Sequence, residues 1–462
     1  MSVRSLIVSP ALGRDTMTRF SILSAVLLAL AGCDRETLRP SSPDISRQGL
    51  ADSVVPEKSL VITDLSVIEA NAYTTWDPSY GVNDYRGAFT FGRLIDNMLP
   101  IGERTPLGRA RFVIRWLRMW EQPQTINSFV IPARPLIRPL IIDPWRAASG
   151  CAPAVADEDC VLDFAQAPFR LLAITNRPDL RRPVNGTDFP SGGQGRFVFG
   201  AIGPAGEKLF FTVIFEYDLP VTDLDIPLVD DAALETRLWG EAWNALGRLS
   251  FGPVYNYALF GVTHEFTRRD RTPSRRNGSA LFQIRTNEVA LSPVPGGDDV
   301  GPLGLWELRE FIIGPSGQVV QTTVKQEPDI SFNGSATLGA FVSENLSAIL
   351  AGQYQVPSAY QGAPFLGGAG PTPIVLQWNV PGIDEDGRHA FAMGTCNGCH
   401  LTETGTTFLH VKPREAGVRA AISDFLAGQL AGARQADFTA LLSEPWTSYL
   451  LGPGLDIGTG SL

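Results

Sequence analysis

Histidine and methionine are scarce in this chain, and where they are missing matters. Among 462 residues there are four histidines and five methionines, and no methionine follows Met393. Five cysteines are too few for a disulfide-knit scaffold. The apolar run from Phe20 to Ala31 has only 12 residues, short of the roughly 20 that a bilayer-spanning helix needs. There is no Gly-rich phosphate loop, no G-x-S-x-G nucleophile elbow and no internal repeat. Positive charge is also in deficit. The net charge of −10 argues against a nucleic-acid partner. With 44% hydrophobic and 19% charged residues the chain is globular, and its length suits two domains.

Against this background one stretch stands out, Cys396-Asn397-Gly398-Cys399-His400. It has the C-x-x-C-H form of a covalent haem c attachment site. On a helix, positions i, i+3 and i+4 share a face. Cys396 and Cys399 can therefore bond the two vinyl groups of one porphyrin while His400 offers an imidazole to the iron. The stretch Leu401 to Thr407 is threonine-rich and holds Gly405, so it reads as a loop that reverses the chain toward His410. With no methionine downstream, the sixth ligand is a histidine, a methionine from the larger domain, or nothing, and His410 is the expected one. Two imidazoles would give low-spin iron of comparatively low potential. The alternative is that His410 caps a strand or bonds a haem propionate, with His389 and His264 as substitute ligands. Two other readings compete. Zinc could sit among Cys396, Cys399 and His400 or His410, although the second two-ligand knuckle of such sites is absent. Or the motif is vestigial or disulfide-bonded, and the large domain works as a binding or surface-assembly module. No catalytic signature marks the chain as an enzyme.

The N-terminus points to export. Arg19 precedes the short apolar run, which ends in Leu30-Ala31-Gly32-Cys33. This resembles the lipobox of bacterial lipoproteins, in which the cysteine is acylated. Residues 1–32 then form the signal peptide, Cys33 the lipid anchor and residues 33–59 a tether rich in Ser, Pro, Arg and Asp. An ordinary cleaved signal with an incidental cysteine is the alternative. Cys151 and Cys160 stand nine positions apart in a polar, proline-bearing stretch and are expected to pair as a disulfide. Every cysteine then has a use that requires export. The expected place is the periplasmic face of the inner or outer membrane. The partners are the membrane itself, through the anchor, and a periplasmic redox protein.

Between anchor and motif, β-prone segments predominate. Leu60 to Ile68 and Phe169 to Thr175 read as strands, as does Ala280 to Leu291. Arg196–Ile202 with Lys208–Tyr217, and Leu305–Ile313 with Gln318–Val324, read as hairpins across Gly-Pro turns. Leu107–Trp120, Asp230–Leu249 and Leu338–Ala351 read as helices. The expected class is α+β, a mainly antiparallel sheet with interspersed helices over 60–361. A Gly/Pro linker at 362–375 and a small helical haem-type segment at 376–462 follow. Arg111, Arg115 and Arg118 stripe the first helix, a surface face or an anion-holding one. Arg285, Asn287, Glu288, Glu307, Arg309 and Glu310 fall on strands and are expected as ion-paired positions on a solvated face. The arginines of 268–276 read as a solvated loop or a dock for an acidic partner.

Two resemblances accompany these readings. Residues 387–400, with Phe391 five before the first cysteine, are similar to the first helix of class I cytochromes c with one extra residue. The stretches Ala167–Arg177, Trp306–Phe311 and Thr395–His400 together resemble a family of functionally uncharacterised exported proteins of Gram-negative bacteria, often lipoproteins. These end in a C-x-x-C-H segment. That resemblance implies that the motif and the large domain form one unit, and it brings no activity with it.

Overall fold

The computed structural model describes residues 54–182, 190–221, 231–292, 305–372 and 377–444. The signal segment, Cys33 and the tether up to residue 53 lie outside them. Eight strands build one antiparallel sheet: β1 (Val61–Ile62), β2 (Phe169–Arg177), β3 (Ser191–Ile202), β4 (Lys208–Pro220), β5 (Leu281–Glu288), β6 (Trp306–Ile313), β7 (Val319–Thr322) and β8 (Gly370–Thr372). Their order is β1-β2-β3-β4-β5-β6-β8, and β7 also pairs with β6. The fold is α+β, as the sequence leads one to expect, and both anticipated hairpins form.

Period-two alternation gives the sheet two unlike faces. Phe197 and Phe199, Val213 and Phe215, and Ile284 enter an aromatic core on one face. Arg196, Glu216, Gln283 and Arg285 share the other. Helices α1 (Phe91–Met98), α2 (Pro106–Leu117), α3 (Asp231–Leu246) and α4 (Pro253–Thr267) cover the aromatic face. Phe91 of α1 stacks on Phe169 at 4.3 Å between ring centres. Phe266 of α4 lies on β3 where the residue is Gly195; any Cβ there would come within 2.3 Å of the ring. On α1 the polar stripe of Arg93, Asp96 and Asn97 is buried, and on α4 the exposed side carries the apolar Val254 and Tyr257. All eight residues of α1 are buried.

Later in the chain come α5 (Ala336–Glu344), α6 (Glu385–Gly394), α7 (Cys396–His400), α8 (Asp424–Ala431) and α9 (Ala433–Ser443). Phe341, Phe365, Trp378 and Phe391 form a second, smaller core around α5 and α6. Phe438, Leu441 and Leu442 of α9 return to the main core, against α3.

Several expectations are corrected at the level of elements. Within the stretch 362–375, β8 is an edge strand bonded to β6. Of the described residues after 376, Leu426, Leu430 and Phe438 belong to the main core. The tether ends earlier, since Val54 is buried and Lys58 donates to the Leu249 carbonyl at 2.7 Å. The strand from Leu60 stops at Ile62, because Asp64 accepts the Ser66 N–H at 3.0 Å and caps a helical turn over Leu65–Ile68. The helix from Leu338 breaks at Asn345.

The charged strand residues are paired but not solvated. Glu288, Glu307, Arg309 and Glu310 are each at most 1% exposed. Opposite-face parity divides them: Arg134 bridges Glu288 and Glu307 on the core side, while Arg285 holds Glu310 on the other. The arginine stripe of α2 is spent on the chain's own acids. Cys151 and Cys160 are joined as a disulfide. The loop they close presents Glu158, whose carbonyl accepts from Arg111 at 2.6 Å and whose carboxylate pairs with Arg115 at 3.1 Å. The arginines of 268–276 are similarly tied, Arg275 to Asp218 at 2.5 Å and Arg269 to Asp96. Among the described residues no helix is long and apolar enough to cross a membrane.

Candidate functional site

The polar face of the sheet has a roof, and the roof is the C-x-x-C-H segment. Thr395 caps α7 and is itself saturated. Its hydroxyl accepts from Gly398 N–H at 3.1 Å and Trp378 Nε1 at 2.9 Å, and donates to the Ala392 carbonyl at 2.7 Å. Gly398 lets α7 lie against the end of α6, since a Cβ there would fall 2.0 Å from the Ala392 carbonyl oxygen. Glu327 reaches the same end of α7 from the loop after β7. Its Oε2 accepts the Asn397 N–H at 3.1 Å, and it is fully buried. Burial pushes its carboxyl up to about 8, against the pull of the Asn397 and Cys396 N–H groups.

Between roof and sheet lies a cavity of about 840 Å³ that Cys396, Cys399, His400 and His410 all line. That is within the range of cofactor pockets. Seven cations line it, Arg177, Arg181, Arg182, Arg196, Arg285, Lys325 and Arg434, against two carboxylates, Asp179 and Glu216. Asp437, Asp218 and Glu310 outside the lining pair with Arg181, Arg182 and Arg285, and the smaller surplus that remains suits a ligand carrying acid groups. Glu216 takes Arg196 at 3.0 Å and Gln283 at 2.6 Å, and Arg285 takes Glu310 at 2.5 Å. Burial lowers Arg196 to about 9 even with Glu216 beside it. Burial acts on Arg285 the same way, but Glu216 and Glu310 outweigh it and raise the guanidinium. Arg434 donates no hydrogen bond among the described residues, and burial with Arg177 nearby lowers it to about 10.

His400 is held in one tautomer. Its Nδ1 lies 2.6 Å from the Phe408 carbonyl oxygen, an acceptor only, so Nδ1 carries the proton and Nε2 keeps its lone pair. The Phe408 N–H returns to the His400 carbonyl at 3.2 Å. Phe408 sits at φ 59°, an uncommon conformation for a bulky residue. Trp306 stacks on the imidazole at 5.1 Å. Burial lowers His400 to about 4, so it is neutral near pH 7. Burial also raises both thiols, Cys396 with added repulsion from Glu327 and Glu310, so neither is poised as a thiolate.

Of the residues the sequence singles out, the motif and His410 come together, but not as expected. His410 stands beside His400, with ring centres 4.5 Å apart, and is not set across a space from it. Its Nε2 faces Cys399 Sγ at 3.4 Å and its Nδ1 faces Ser423 Oγ at 2.9 Å. Burial, then His400, lowers it to about 2. His389 is half-exposed and bonds Glu403 at 2.5 Å, and His264 is on α4 in the aromatic layer; neither lines the cavity. Cys396 and Cys399 are both free, and among the described residues no group of three or more His, Cys, Asp and Glu side chains is arranged to hold a metal ion. Sequence reasoning misses Glu327, Trp306 and Arg434. The alternation Arg196-Phe197-Val198-Phe199 and Phe215-Glu216-Tyr217 is the signal that could have marked a polar wall. Compared with family models, curated proteins and solved structures, the chain finds no match in any of the three, so the site is read from its own geometry.

Proposed function

We propose that the chain is an exported, lipid-anchored c-type haem protein that transfers or senses electrons. Cys396 and Cys399 would hold the porphyrin through thioethers, and His400 Nε2 would meet the iron. One observation carries the reading: an imidazole fixed by the Phe408 carbonyl with Nε2 unprotonated, placed with both cysteines on one cationic cavity. Bound haem supplies a reversible one-electron centre. The chain's own residues supply its surroundings. Trp306 orients the imidazole, and the arginines of the cavity complement two propionates.

The test is production in a host that attaches haem c to exported proteins. Denatured protein should keep the haemochrome spectrum, and a Cys396→Ser/Cys399→Ser variant should lose it. Colourless wild-type protein, with a control cytochrome loaded in the same cells, would remove the reading, and stoichiometric zinc in that protein would favour a structural metal. The anchor is tested separately by membrane fractionation of Cys33→Ala, which should leave the membrane fraction. Unchanged association would remove the anchor.

A further inference from the structure

We infer that iron held by His400 receives no second side-chain ligand and that its free position takes a small exogenous molecule. The inference rests on the haem reading above and deepens it from an electron carrier to a ligand-binding haem. Three observations converge on it.

The first is what His410 does. Ser423 Oγ caps α8 by accepting the Leu426 N–H at 3.1 Å, which leaves its own hydrogen to donate to His410 Nδ1. Nε2 then carries the imidazole proton and directs it at Cys399 Sγ. A thioether sulfur can only accept, so attachment at Cys399 would keep this tautomer. His410 is thereby a hydrogen-bond donor to the attachment sulfur, on the same side as His400.

The second is the census of other imidazole and thioether ligands among the described residues. Met98 is in the main core and Met119 packs against it, under the other face of the sheet. His264 and His389 are off the cavity. Met393 does line it, three residues before Cys396 on the strip of chain that carries the attachment cysteines.

The third is the sheet wall. Gln283, Arg285 and Asn287 alternate along β5 into the cavity, and Asn287 is 3% exposed, its Oδ1 without a hydrogen-bond partner among the described residues. An amide carbonyl left unbonded in a buried wall is a place where a molecule with a donor, or an ordered water, gains a bond. Arg285 and Gln283 already donate to Glu310 and Glu216, so the open acceptor suits a small ligand that brings its own hydrogen, such as a peroxide.

The experiment uses the loaded full-length protein. Ferric wild type should show a high-spin EPR signal, and the reduced protein should bind carbon monoxide with a displaced Soret band. His410→Ala and Met393→Leu should leave the spin state unchanged. Cyanide should bind the ferric form, and Asn287→Leu should change its affinity several-fold without altering haem content. A low-spin wild-type spectrum that carbon monoxide does not displace would overturn the inference, as would a low-spin signal that turns high-spin in either the His410 or the Met393 variant. Those failures leave covalent haem in place. Protein without haem instead overturns the underlying reading, and this inference with it.

Discussion

Arg285 carries more than its own charge. Glu216 and Glu310 are both fully buried, and Arg285 lies 3.7 Å from the first and 2.5 Å from the second. Arg285→Met should cost about 3–5 kcal/mol, the usual range when one partner of a buried pair is removed, read as a lowered denaturant midpoint. Glu327 gives a pH signature. Its folded carboxyl sits at about 8, above the ordinary 4.5, because burial outweighs the N–H groups of Asn397 and Cys396, with Asp329 and Glu310 adding repulsion. The folded chain thus keeps a proton that the unfolded chain releases. Its contribution to stability is present below about pH 4.5 and is lost as pH rises through about 8. Glu327→Gln should flatten that decline, as measured by denaturant titrations across this window; an undiminished slope would show that other groups set it. The presence of charge on β5 and β6 was legible in the sequence, and its burial was not. Which face a strand residue takes depends on pairing register, and bulges between Gly200 and Ile202 and between Glu216 and Tyr217 shift that register.

Among the elements, the hairpins, α2 and the motif helix were legible because each has a period or a cap. Helices α1 and α4 were not: α1 buries its polar stripe, and α4 shows Val254 and Tyr257 to solvent, so polarity does not mark the outer side of either. The turn of the chain from α7 to His410 was legible as a loop. Its outcome was not, because the positive φ of Phe408 and the pull of Ser423 decide where His410 lands. The disulfide loop invites a test at this scale. Cys151→Ser/Cys160→Ser should cost about 2–3 kcal/mol by the chain-entropy estimate for so short a loop. The loop's exposed pairs with α2, such as Arg115 with Glu158, should add little, so raising the salt should barely change that loss. A strongly salt-dependent loss would assign the loop's contribution to charge instead.

For the molecule as a whole, the early stretch 63–69 and the late stretch 414–419 meet beside β2. Arg414 donates to the Leu171 carbonyl of β2 at 2.9 Å and pairs with Glu69, and Arg419 reaches Thr63 at 2.7 Å. With α9 in the main core, residues 60–361 lack a complete interior of their own. Ending the chain at residue 408 should therefore abolish cooperative unfolding and protease resistance; a protected fragment of about 300 residues would show instead that the large domain stands alone. The roof over the cavity has a further consequence. Leu409, Val411, Phe425 and Arg434 line it as well, and all follow Cys396 and Cys399 in the chain. On the haem reading proposed above, their docking would narrow a porphyrin's approach to two sulfurs that are only partly exposed. Attachment and folding would then compete, and the docking of these last residues would set the time allowed. A cell that delivers haem late would accumulate folded protein that matures slowly, so on that reading supply of the cofactor becomes a matter of timing as much as of amount.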